Sequence, residues 1–226
     1  MNQPPDFNRL ARLYLWMELF SFGPWLWLTR LTFLPQALNA RHALVLGDGD
    51  GRFTARLLRA NPQVQIDAVD ASPAMLAALG RRAGPHAARL TTHLADIRSW
   101  QPCRASSKPF DLVVTHFFLD CLDTAEVQSL AARLRAIVTP GALWIISEFA
   151  IPPGWFGRSI GYPVVTGLYF AFAWLTGLAV RRLPDHASAL RAVGFTLLKR
   201  RARLHGLLVA ELWSTENAPT AFPESS

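Results

Sequence analysis

Residues 43–51, Ala-Leu-Val-Leu-Gly-Asp-Gly-Asp-Gly, constrain this chain more than any other stretch. The apolar run Ala43 to Leu46 reads as a buried strand, and it breaks into glycines at alternate positions, Gly47, Gly49 and Gly51. Arg52-Phe-Thr-Ala-Arg-Leu-Leu then reads as the start of a helix. A strand, a glycine turn and a helix bring backbone N–H groups close to a ligand. Glycine suits such a turn because a side chain would block the approach and because some positions need positive φ. A second strand, Val64 to Val69, ends in Asp70, and an acid there can accept hydrogen bonds from both hydroxyls of a ribose. The pattern predicts a site for a nucleoside-containing cofactor.

The spacing of the glycines separates two cofactor classes. The dinucleotide fingerprint places glycine at its first, third and sixth positions, and the sixth position counted from Gly47 is Arg52. A nicotinamide-dependent oxidoreductase is therefore the alternative reading. The Gly-x-Gly-x-Gly spacing instead resembles motif I of the class I S-adenosylmethionine-dependent methyltransferases. Later segments carry the same resemblance in family order. Leu94-Ala-Asp96-Ile97 resembles the acidic residue and apolar neighbour that hold the adenine. Phe110-Asp-Leu-Val-Val-Thr-His-Phe-Phe resembles the fourth strand with its substrate-facing end. Leu134-Arg-Ala-Ile-Val-Thr-Pro-Gly-Ala-Leu-Trp-Ile-Ile resembles the helix, Pro-Gly turn and fifth strand. Ala192-Val-Gly-Phe resembles the turn into the sixth strand. The resemblance covers roughly residues 41–213. It implies S-adenosylmethionine as cofactor, held by Gly47, Asp48, Gly49, Gly51, Asp70, Ala71, Ser72, Asp96, Ile97 and Thr115. One position departs from the family. Val45 stands where an acid usually precedes the first glycine. Asp48 or Asp50 could take over that acid's role by meeting the cofactor's ammonium group, or both could be ordinary turn residues.

Strand and helix alternate along the core, which predicts an α/β, doubly wound, seven-stranded and mostly parallel sheet closed by a C-terminal antiparallel hairpin. This is the Rossmann-like methyltransferase fold. Strands are expected near 43–47, 64–69, 90–94, 111–115, 142–148, 195–202 and 206–213. Helices are expected near 52–60, 73–81, 123–138 and 184–193. Ser72-Pro73 places an N-cap before a first-turn proline, and Asp123 with Glu126 matches a capping box. Residues 1–40 form an N-terminal helical cap, 41–216 the methyltransferase-like domain with a lid insertion at 151–183, and 217–226 a disordered tail. The cap is rich in aromatics, with Trp16, Trp25 and Trp27. It could cover the cofactor cleft, pair with another subunit or dip into a membrane interface.

Ser159 to Val180 carries no charged residue and is flanked by Arg158 and Arg181-Arg182. Its length suits a membrane span, but Gly161, Pro163, Gly167 and Gly177 interrupt it and it lies between the fifth strand and the last two. A span would leave the final strands across the membrane from the sheet they complete. The segment is therefore read as a lid, with Tyr162, Tyr169, Phe170, Phe172 and Trp174 lining an apolar pocket or meeting lipid. The expected acceptor is a hydrophobic or aromatic small molecule. The order of Ser147-Glu148-Phe149, a proline-bearing loop, an apolar helix and Gly194-Phe195 is similar to the ubiquinone/menaquinone C-methyltransferases.

Composition narrows the partners. The chain has 226 residues, a formal net charge of +7 and only two cysteines, Cys103 and Cys121. That excludes a disulfide framework, no metal-type spacing occurs, and a reducing cytoplasm fits, with peripheral membrane contact admitted by the apolar stretch. The basic residues are scattered, and the one dense run, Lys199-Arg-Arg-Ala-Arg, falls in an expected edge strand where charge blocks aggregation. No recognition module for nucleic acid accompanies it. His116, at the end of the fourth strand, is the candidate catalytic base. Asp120 lies four residues on, which a helix would place on the same face. A non-catalytic membrane- or partner-binding module on the same fold remains a third reading, supported by Val45. Oligomeric state is not readable.

Overall fold

The computed structural model describes residues 24–101, 108–163, 166–167 and 183–215. Residues 1–23 of the expected N-terminal helical cap, Cys103, the lid aromatics Tyr169, Phe170, Phe172 and Trp174, and the tail at 217–226 lie outside these residues.

Seven strands form one sheet: β1 His42–Leu46, β2 Gln65–Asp70, β3 Leu90–Leu94, β4 Phe110–His116, β5 Val138–Phe149, β6 Thr196–Arg203 and β7 Leu208–Ser214. Their order is β3-β2-β1-β4-β5-β7-β6. The first five are parallel, and β7 enters antiparallel between β5 and β6. Helices α1 Pro24–Arg30, α2 Arg52–Ala60, α3 Pro73–Ala83, α4 Thr124–Arg135 and α5 His186–Ala192 complete the frame. The alternation seen in the sequence is thus the architecture of the sheet.

The central strands are apolar because both faces are covered. On one face Leu44, Val113, Trp144, Ile146 and Trp213 pack with α4 and α5. On the other Val45, Val114, Ile145 and Leu212 pack against Phe53, Leu57 and Leu58 of α2. Both expected caps are present. Ser72 Oγ accepts from the Met75 amide, and Asp123 and Glu126 close a reciprocal capping box. The helix expected at 123–138 stops at Arg135, because Val138 already pairs with Phe110 as the start of β5. Lys199–Arg203 lies on the edge strand β6, as expected.

At the chain's turn into segment 151–183, residues Gly154–Phe156 and Gly157–Gly161 form short helical turns. A side chain at Gly161 would meet Leu207 and Pro152 at 3.2 Å, so this start packs beside the β6–β7 turn. That turn adjoins the end of β5, where Ala150 N donates to Leu207 O. Among the described residues no helix is long and apolar enough to cross a membrane.

Candidate active site

The C-terminal ends of β1, β2, β4 and β5 align at one edge. Leu46 registers with Val69 and Thr115, and His116 with Ser147. The glycine loop leaves this edge, and its three glycines do different work. Gly47, Gly49 and Gly51 have φ of 64°, 60° and 80°. A Cβ at Gly51 would sit 2.7 Å from the Leu79 side chain, so this glycine lets α2 and α3 approach. A Cβ at Gly47 would overlap the Phe118 ring. Among the described residues nothing lies within 4 Å of where a Cβ at Gly49 would sit, so this left-handed corner leaves bare backbone that a ligand can meet.

Asp48 is buried, and its Oδ2 accepts from Thr54 N at 2.8 Å and from Thr54 Oγ1 at 2.7 Å. It therefore caps α2, whose N-cap residue is Gly51 and has no side chain to do so. Burial pushes its pKa up to about 6 despite those bonds and the nearby Arg30 charge. Asp50 is held by Arg52 and Arg82, at 3.0 and 2.6 Å, and serves to brace the loop. Asp70 ends β2, and its Oδ1 accepts from Ser72 N at 2.8 Å. Burial raises its pKa to about 6 as well, with the charge of Asp48 adding to the shift. Ala71 is exposed beside it, and Ser72 caps α3. Asp96, on the next loop, is half exposed and accepts from Arg98 N, while Ile97 is buried in the core. Thr115 registers with Leu46, directly before the glycine loop. It is fully buried, and its Oγ1 accepts from Trp144 Nε1 at 3.0 Å on the α4 face.

An open left-handed glycine corner flanked by a carboxyl at the end of β2 fits a nucleoside cofactor. Asp70 has the lone pairs a ribose requires, and the capped N-terminus of α3 lies beside it. Val45 is 1% exposed within the α2-side core, so the usual acid of motif I has no counterpart at that position.

The pairing of His116 with Asp120 on one helical face is corrected by the structure. β4 runs through His116, Phe117 turns into the left-handed region at φ 53°, and Leu119–Cys121 is a 3-10 turn. Asp120 belongs instead with Glu148 and Cys121, whose acidities its charge reduces. Glu148 is buried, and its Oε1 accepts from Phe118 N at 3.1 Å and Leu119 N at 2.8 Å, while Oε2 has no partner. Burial first, then the Asp120 charge, holds its pKa well above the ordinary carboxyl value.

His116 is 2% exposed. Its Nδ1 lies 2.9 Å from Ser147 Oγ, its ring meets the edge of Phe53, and its Nε2 has no hydrogen-bond partner. Burial, then the Arg30 charge, lowers its pKa well below the ordinary histidine value. Sequence reasoning missed Arg30 and Thr29, the last two residues of α1. Arg30 is buried with its guanidinium 5.4 Å from the centre of the Phe117 ring. An arginine ending a helix one turn after two tryptophans was the available signal.

Residues 44–144 match the methyltransferase domain family. The chain is 36% identical over 108 residues to a trans-aconitate 2-methyltransferase of Delftia acidovorans, covering 48% of this chain and 38% of that protein. It is 30% identical over 109 residues to a malonyl-[acyl-carrier protein] O-methyltransferase of Halalkalibacterium halodurans, covering 48% and 39%. The match thus spans about two-fifths of the length of these relatives. An O-methyltransferase family protein from Burkholderia thailandensis shares the fold with a TM-score of 0.69 at 15% identity, covering 95% of this chain and 62% of that one. The N-methyltransferase NodS from Bradyrhizobium japonicum, in complex with S-adenosyl-L-homocysteine, does so with a TM-score of 0.58 at 15% identity, covering 90% and 97%. Sequence match, sheet order and glycine loop together make residues 44–144 similar to the S-adenosylmethionine-dependent methyltransferases, and the chain shares their Rossmann-like fold.

Proposed function

We propose that the chain transfers a methyl group from S-adenosylmethionine to a hydrophobic or aromatic small molecule. The observation that carries this is the open, positive-φ corner at Gly49 beside Asp70, within a segment that matches the methyltransferase domain. S-adenosylmethionine supplies an electrophilic methyl on a sulfonium, which becomes a neutral thioether when the methyl leaves. Gly47, Gly49 and Gly51 shape the loop, Asp70 would accept from the ribose hydroxyls, and Asp96 with Ile97 would hold the adenine. Asp48 holds the loop to α2 through Thr54. His116 takes the proton of an acceptor hydroxyl at Nε2, or orients that hydroxyl by accepting its hydrogen bond. Its lowered pKa makes it a weak base, but one always in the accepting form near neutral pH.

The lid reading of 151–183 belongs to the same proposal. Its described start lies at the β5 and β6–β7 end of the sheet, with Trp155 71% and Tyr162 58% exposed. An apolar acceptor, or the interfacial layer of a membrane, suits such residues. Calorimetry with S-adenosylmethionine and NADH tests the cofactor: binding of NADH alone rejects methyl transfer and favours the oxidoreductase. Mass spectrometry of small molecules that co-purify tests the acceptor class. A polar or peptide acceptor rejects it. Flotation with lipid vesicles tests the membrane contact, which absence from the lipid fraction rejects. Val45 supports one further reading, a module that binds the cofactor without turnover. Methylated product from any acceptor excludes it.

A further inference from the structure

Ser147 and His116 are register partners on β5 and β4, so their side chains leave the same face of the sheet, toward α1 and α2. A serine hydroxyl carries one proton. Here Ser147 Oγ lies 3.3 Å from the main-chain oxygen of Thr29 and 2.9 Å from His116 Nδ1. The Thr29 carbonyl, in the last turn of α1, can only accept, so it takes the hydroxyl proton. Ser147 Oγ is then an acceptor, and His116 Nδ1 must donate to it. A neutral imidazole with its proton on Nδ1 has a lone pair on Nε2. Nε2 is buried and without a partner.

The opposite arrangement makes one hydrogen bond fewer. If Ser147 donated to Nδ1, its contact with the Thr29 carbonyl would hold no proton, whereas the Nδ1–H form makes both bonds; Nε2 lacks a partner in either form. Phe53, packed edge-on from α2, offers no charge to reverse the preference.

We infer that Ser147 is a positioning residue that fixes His116 in the Nδ1–H tautomer, with the α1 carbonyl of Thr29 as the anchor, and so presents Nε2 as a bare acceptor. Its meaning for catalysis rests on the methyl-transfer reading, whereas the tautomer itself does not.

The test is a long-range nitrogen–proton correlation spectrum of the full chain labelled with 15N-histidine, at pH 7, with neither cofactor nor acceptor added. The chain has six histidines, and His116→Gln identifies the signal of interest. The expected spectrum shows His116 neutral, protonated at Nδ1 only. Ser147→Ala is expected to give a mixture of both tautomers, and Ser147→Thr, which keeps the hydroxyl, to restore one. A proton on Nε2 in the unaltered chain, an imidazolium at pH 7, or an unchanged tautomer in folded Ser147→Ala overturns the assignment. The unaltered chain decides by itself if Ser147→Ala does not fold. Failure to bind S-adenosylmethionine in calorimetry would overturn the proposed function and leave this spectrum as it is.

Discussion

Asp70 is the residue at which the proposed cofactor site can be tested through its electrostatics. Its removal in Asp70→Ala should weaken S-adenosylmethionine binding by about 1–3 kcal/mol, the range for a lost charge-assisted hydrogen bond, as read by calorimetry. Its pKa of about 6 adds a pH signature. The ionised form accepts both hydroxyl bonds, so affinity should fall as pH drops through 6. Affinity independent of pH between 5 and 7.5 would mean that Asp70 does not contact the cofactor. Glu148 makes a different pH prediction. Its folded pKa is raised, so the folded state holds a proton that the unfolded state has released above about pH 4.5. That contribution favours folding at low pH and is lost as pH rises through the folded value. Glu148→Gln removes the titration. Thermal melts from pH 5 to 8 should therefore decline less with pH in the variant than in the parent chain.

At the scale of elements, the punctuation of the chain was legible and its loop conformations were not. Ser72-Pro73 and Asp123-x-x-Glu126 announced their helices because cap side chains bond to amides within the same turn, a relation that sequence contains. Asp123→Ala should cost about 0.5–2 kcal/mol by chemical denaturation. Gly51→Ala should destabilise by about 1–3 kcal/mol, since Leu79 occupies the space and φ is positive. The end of α4 was misread by a few residues because Ile137 and Val138 continue an apolar pattern that a strand uses equally well. The separation of His116 from Asp120 could not be read, because nothing in Phe117-Phe118 signals a left-handed residue after a strand. Asp48 was legible as important but not as a helix cap. Its bond to Thr54 crosses a loop whose path three glycines leave open. Arg30 and Thr29 became part of the site only through the docking of α1 against β5 and β7, which is tertiary information.

For the whole molecule, cofactor binding and folding are linked. A ligand that binds only the folded state raises stability by RT ln(1 + [L]/Kd), about 2.7 kcal/mol at one hundred times Kd. S-adenosylmethionine should raise the melting temperature in proportion to the logarithm of its concentration, and NADH should leave it unchanged. Equal shifts from both would remove the distinction drawn from Arg52.

The place of β7 has a consequence for synthesis. β7 lies inside the sheet, between β5 and β6, although it is last of the seven in chain order. A ribosome emitting the chain therefore releases β5 long before its neighbour exists. Until Ser214 has emerged, the free edge of β5, with Trp144, Ile145 and Ile146, is open to other chains. β6, with its run of lysine and arginine, emerges before β7 and has no partner in the sheet until β7 arrives. Translation stalled between residues 150 and 208 should yield nascent chains that recruit holdase chaperones, with release coinciding with the final strand.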